Sequence, residues 1–134
     1  MRRITSYNDG TTEMNNLELI ACRQLLFMDI PEAAELIGGV GQRTWRYYEA
    51  GRSPIPKALI EKMSGILECR ELLLQRMMDE ADEYRKQGNG RQVVPFFLTF
   101  EEYQQETGLD DPLSFRLDQS VKAALYFRNK VVFY

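Results

Sequence analysis

From Asn16 onward the apolar residues recur at helical spacing. Leu17, Ile20, Ala21 and Leu25 fall on one stripe with a 3.6-residue period, and Asn15 or Asn16 is available as the N-cap. This pattern predicts a first helix ending near Phe27 or Met28. Asp29-Ile30-Pro31-Glu32 opens a second helix, because Asp and Glu three residues apart can form a capping box and proline is tolerated in a first turn. Ala33, Ala34, Leu36 and Ile37 continue it until Gly38-Gly39, where glycine supplies the left-handed conformation of a helix end. After Val40 and Gly41, the segment Gln42–Glu49 reads as a third helix, closed by a stretch over 50–56 that holds Gly51, Pro54 and Pro56.

A longer stripe follows, through Leu59, Ile60, Met63, Ile66, Leu67, Leu73, Leu74, Met77, Met78, Ala81 and Tyr84. It predicts a helical segment from Lys57 to about Gln87, roughly 45 Å long if continuous, with Gly65 as the place for a break or kink. Such a helix outruns a three-helix unit and must pack against something else. Beyond Gly88-Asn89-Gly90, residues 93–97 read as a short strand whose proline marks an edge or strand end. Thr99 caps a short helix ending near Gly108, and Asp111-Pro112 opens another with Leu113, Leu117, Val121, Ala124 and Leu125 on one face. Residues 131–134 are apolar and β-prone, and so short a strand needs a partner within the chain or across a dimer. Residues 1–15 are polar and turn-rich and read as a disordered leader, in which Met14 offers a second start and Arg2 and Arg3 a weaker reading as a minor-groove arm. The expected fold is mainly α with a small α+β C-terminal part: a three-helix unit over 16–68, then the long helix and a C-terminal segment over 69–134.

Composition narrows the chemistry. The 134 residues are 44% hydrophobic, enough for a core, and contain no histidine. That excludes a Ser–His–Asp or Cys–His mechanism and removes the commonest general base. Carboxylates are abundant, yet none stands in a motif with a positioned partner, and the chain reads as a non-enzyme. Cys22 and Cys69 have 46 residues between them, unlike the usual zinc spacing, and no nucleotide or metal motif is present, so neither metal nor cofactor is expected. Both cysteines lie in helical segments and are expected as free thiols packed in the core of an intracellular, cytoplasmic protein. No apolar run reaches the length of a membrane span or follows the basic N-terminus as in a signal peptide. The acidic run Asp79-Glu80-x-Asp82-Glu83 is interleaved with Arg76, Arg85 and Lys86 and reads as a solvated helix face.

Net charge is −3, which taken alone argues against nucleic-acid binding. Its distribution changes that. Between Gly41 and Lys57 stand Arg43, Arg46, Arg52 and Lys57 against Glu49 alone, a local +3 set against −6 elsewhere. Within the third helix, Trp45 and Tyr48 share a buried face at core spacing, while Arg43, Arg46 and Tyr47 point outward. Trp45 reads as core in preference to a DNA-stacking residue.

Three features together carry a resemblance: Leu17-x5-Arg23, Glu32-Ala33-Ala34-x3-Gly38 and Trp45-x2-Tyr48-Glu49-x-Gly51-x2-Pro54. Over 16–68 they resemble the Cro/C1-type (XRE-like) helix-turn-helix of phage and bacterial repressors, with a lambda-repressor-like fold. From Met14 to the end, Trp45-Arg46-Tyr47-Tyr48-Glu49-x-Gly51, Phe96-Phe97 and Gln119-Ser120-Val121-x-Ala123-Ala124-Leu125-Tyr126 look like the YdiL-type regulators, and the arrangement is similar to that of anti-CRISPR-associated autorepressors. The resemblance implies that Gln42, Arg43 and Tyr47 face bases with Arg46 beside them, that Arg52 and Lys57 reach phosphates, and that Arg23 and Glu49 form a structural ion pair. Thr44 suits a phosphate or a thymine methyl, Arg a guanine and Gln an adenine. The turn over 38–41 is one residue longer than the family's usual one. Ile30 stands where relatives carry a phosphate-contacting Gln, so no such contact is expected there.

The leading expectation is a sequence-specific regulator of double-stranded DNA that binds an inverted repeat as a homodimer, repression being implied by the resemblance. Two alternatives stand beside it: an antitoxin-like protein holding a partner protein through its C-terminal part, and an RNA binder using Tyr47 and the arginines to stack on unpaired bases.

Overall fold

The computed structural model describes residues 13–134. The leader and the arm expected at residues 1–12 lie outside the described residues. Glu18 N–H bonds the Asn15 side chain at 2.8 Å and Asn15 N–H bonds the Glu18 carboxylate at 2.9 Å, a capping box that starts α1 (Asn16–Leu25). Met14 packs against the core beside it. Asp29 and Glu32 form the second capping box, at α2 (Ile30–Ala33). The helix then widens into a π-helical turn, Ala34–Gly38, and ends on Gly39 at φ +59°. Gly39 and Val40 both donate to Ala34 O, so the widened turn lies within helix two and the loop before the next helix is short. α3 (Gln42–Glu49) follows at once.

α4 (Lys57–Lys86) runs unbroken for 30 residues, through Gly65 without a break. Its N-terminal half adds Leu59, Met63 and Ile66 to a core of Leu19, Leu26, Met28, Ala33, Ala34, Ile37, Trp45 and Tyr48. Its C-terminal half enters a second core with Val94, Val121, Leu125 and Val131, built on β1 (Gln92–Val94), α6 (Pro112–Phe127) and β2 (Val131–Phe133). α5 (Phe100–Thr107), capped by Thr99, contributes Tyr103 to a small aromatic cluster with Phe97 and Phe115. The two strands pair within the chain and in parallel, Gln92 with Val131 and Val94 with Phe133, and α5 and α6 form the crossover that parallel pairing requires. The strand expected over 93–97 spans Gln92–Val94 instead; past Pro95 the pairing continues only as a long bond from Phe96 N–H to Tyr134 O at 3.5 Å.

α6 is the hub. Leu113 and Leu117 pack on the first core and Val121 and Leu125 in the second. Three polar residues are buried on it, each with a partner: Gln119 Nε2 donates to Phe97 O at 2.9 Å, Lys122 Nζ to Pro95 O at 2.6 Å, and Ser120 accepts from Arg70 Nε at 2.8 Å. Both cysteines are free thiols, but the core placement expected for Cys69 is corrected: it sits on the exposed face of α4, out of step with the buried positions Ile66, Arg70 and Leu74. Cys22 is half-buried against the first core, and burial, reinforced by the Glu18 carboxylate, pushes its thiol pKa up. Among the described residues, no helix is long and apolar enough to cross a membrane.

Candidate nucleic-acid interface

The site is the outer face of α3, and its geometry starts from the inner one. Trp45 is fully buried and Tyr48 nearly so, their rings meeting edge to face with centroids 6.4 Å apart. A Cβ at Gly38 would stand 2.9 Å from the Trp45 ring, so only glycine there lets α3 seat against the end of helix two. Glu49 lies on the same inner side. Its carboxylate accepts from Trp45 Nε1 at 2.6 Å and from Arg23 Nε and Nη2 at 2.6 and 3.1 Å, while Arg23 Nη1 donates to Met28 O at 3.1 Å. One bidentate pair thus ties α1, α3 and the α1–α2 link, and it neutralises the acid closest to the basic segment.

With that face fixed, Gln42, Arg43, Thr44 and Arg46 are exposed. Tyr47 is half-buried and organises two of the cations. Its hydroxyl accepts from Arg43 Nε at 2.9 Å, and the Arg43 and Arg52 guanidinium carbons stand 5.6 and 4.7 Å from its ring centroid. Its carbonyl also accepts the backbone N–H of Arg52 at 2.9 Å, folding the loop after α3 back so that Arg52 joins Arg43 on one edge. Gly51, at φ +73°, makes that turn possible. Lys57 is exposed at the start of α4, with Nζ 3.9 Å from Glu61, a loose contact that leaves it largely in solvent. The structure therefore brings Gln42, Arg43, Thr44, Arg46, Tyr47 and Arg52 onto α3 and its following loop, sets Lys57 at the next helix start, and holds Arg23 and Glu49 behind them.

Such a surface presents amide and guanidinium donors at the end of a helix whose first N–H groups have no side-chain cap. At the start of α2, by contrast, the Asp29 and Glu32 carboxylates occupy the turn, the wrong charge for a phosphate, and Ile30 packs on the first core. Sequence reasoning missed the Tyr47 hydroxyl as a positioning group; its only signal was the i, i+4 spacing to Arg43. It also missed Arg116, whose guanidinium reaches Glu32 from 84 residues away and which no local pattern marks.

Comparison with known proteins gives a consistent picture. The Aca2/YdiL-like family model matches residues 14–132. The chain is similar to the Aca2 repressor of Pectobacterium phage ZF40, 38% identical over 114 residues that cover 85% of this chain and 93% of that protein. It is also similar to the uncharacterized protein YdiL of Escherichia coli (strain K12), 27% identical over 114 residues covering 84% of this chain and 93% of the relative. A match spanning nearly all the described residues, at this identity, means that the chain belongs to the Aca2/YdiL-like family.

Proposed function

We propose that this protein is a sequence-specific repressor of transcription that binds double-stranded DNA through a helix-turn-helix formed by α2 and α3, with α3 as the recognition helix. The observation that carries the reading is the sorting of charge on α3 and the loop after it: Arg43, Arg46 and Arg52 lie outward while Glu49 is sequestered by Arg23 and Trp45. A helix of this width enters a major groove, Arg43 and Gln42 suit guanine and adenine edges, and Arg46, Arg52 and Lys57 suit phosphates. The phage relative described as a repressor supports repression as the outcome. We further propose a homodimer joined through the C-terminal part, which places two recognition helices about one DNA turn, 34–36 Å, apart on an inverted repeat.

Selection from random duplexes tests this reading. The expected result is an enriched two-fold symmetric motif, bound with an affinity that falls steeply with salt despite the sequence pI near 5.1, each phosphate contact contributing about one unit to the logarithmic salt slope. Arg43→Ala/Arg46→Ala is expected to weaken binding by at least about 30-fold, at roughly 1–3 kcal/mol per lost contact. No enriched motif, or undiminished binding by the double variant, rejects the reading.

A further inference from the structure

We propose that Arg116, with Ser120 one turn later, fixes the bearing of the three-helix unit on the C-terminal part, so that the separation of half-sites is specified by side chains remote from α3. The inference rests on the DNA-binding homodimer proposed above. Arg116 Nε and Nη2 donate to the two oxygens of Glu32 at 2.8 and 2.6 Å, a fork-to-fork pair in which each side chain is about three-quarters buried, at 22% and 26% exposure. Two parallel bonds define an angle as well as a distance. The Arg116 Nη1 donates to Gln119 at 2.8 Å, and Gln119 in turn bonds Phe97 O, so the fork is itself braced from the C-terminal side. Ser120 Oγ holds a different element: it donates to Leu25 O at the end of α1 while Arg70 of α4 donates to it.

Consecutive turns of α6 therefore grip the last turn of α1 and the first turn of α2, on either side of the short link 26–29. The remaining ties are the continuous α4 and the apolar packing of Leu113 and Leu117. The hydrophobic driving force is itself non-directional, so the fork adds an angular constraint to the one that side-chain packing gives. The α3 axis turns with the three-helix unit, and in a dimer any swivel at this joint is doubled at the DNA. Adding one base pair between half-sites moves them by about 3.4 Å and roughly 35°. A braced dimer resists that change, and one whose brace is cut accommodates it.

The experiment uses the full chain and the motif recovered by selection, with the spacer altered by one or two base pairs, and an isolated half-site. For the wild type, a one-base-pair insertion is expected to weaken binding about tenfold or more. For Arg116→Met, which keeps the apolar stem, half-site affinity stays within about twofold while the insertion penalty falls below about threefold. Glu32→Gln, which removes the charge and one acceptor oxygen of the same fork from its other side, is expected to behave likewise and stands in should Arg116→Met unfold. In the double variant the loss of discrimination does not increase. Variants that retain the wild-type insertion penalty overturn the proposal. A wild type that binds a symmetric motif but tolerates the insertion also overturns it while leaving the DNA-binding reading intact. A wild type that selects no motif rejects both.

Discussion

Glu49 receives three donors from two elements, and its isolation from solvent decides what its loss does. Arg23 and Glu49 side chains are only 15% and 10% exposed, so removing the carboxylate strands a guanidinium and an indole N–H in a site with little water. Glu49→Ala is accordingly expected to destabilise the protein by about 3 kcal/mol in urea titration, because an unpaired buried charge costs more than its pair contributes. Tyr47→Phe separates the roles on the other face. It deletes an exposed hydroxyl bonded to Arg43 and leaves the ring for Arg52. Stability should stay within about 0.5 kcal/mol while DNA affinity falls roughly threefold to tenfold, since Arg43 loses the bond that presets its fork. Equal losses in both measurements would assign Tyr47 to the core instead of the interface.

At the scale of elements, two glycines that look alike in the sequence have opposite meanings. Gly65 lies mid-helix in α4 with nothing within 4 Å of an added Cβ, whereas a Cβ at Gly38 meets the Trp45 ring at 2.9 Å. Gly65→Ala is expected to stabilise by about 0.5–1 kcal/mol and raise Tm by about 3 °C. Gly38→Ala is expected to cost about 1–3 kcal/mol, because Trp45 must shift in a packed core. Thermal melts of the two variants should move in opposite directions. Helix starts were legible from the sequence because a capping box is a local, three-residue device, as at Asn15 and Asp29. The π-turn at Ala34–Gly38 was not, since its widening depends on how α3 docks and leaves no composition signal. The buried polar face of α6 was equally hidden: nothing local marks Gln119, Ser120 and Lys122 for burial, because their carbonyl and guanidinium partners lie 22 to 95 residues away. The outer face of α3 was readable because amphipathic spacing alone separates Trp45 and Tyr48 from Arg43 and Arg46.

For the whole molecule, the proposed dimer needs a surface, and the fold leaves one beside its two-stranded sheet. A two-stranded sheet has two open edges and gains little stability by itself. Alongside it the rings of Phe96, Phe133 and Tyr126 stack in sequence, with centroids 4.7 and 5.3 Å apart, and Phe127 meets Tyr126 edge to face at 6.0 Å. This row ends in solvent at Phe127, 84% exposed, and Tyr134, which lines a hollow with Phe96, is 78% exposed. Contiguous aromatic surface of this kind is characteristic of an interface, and Tyr and Phe are the residues enriched at interface centres. A second apolar spot on α4, at Leu67 and Leu72, is interrupted by Glu68 and Glu71, whose charges would be costly to desolvate. The aromatic row is therefore the surface expected to carry the proposed dimer. Light scattering of the full chain should give about twice the 15.7 kDa of one copy, and Phe127→Asp should reduce it to one while leaving the helical circular dichroism unchanged. Leu72→Ser should remain dimeric. Because two linked half-site contacts reinforce each other through effective concentration, Phe127→Asp should lower affinity for the inverted repeat by about 100-fold and leave isolated half-site binding untouched. A Phe127→Asp protein that still runs as a dimer moves the interface elsewhere, and a monomer that keeps full affinity for the inverted repeat removes the need for a dimer at all.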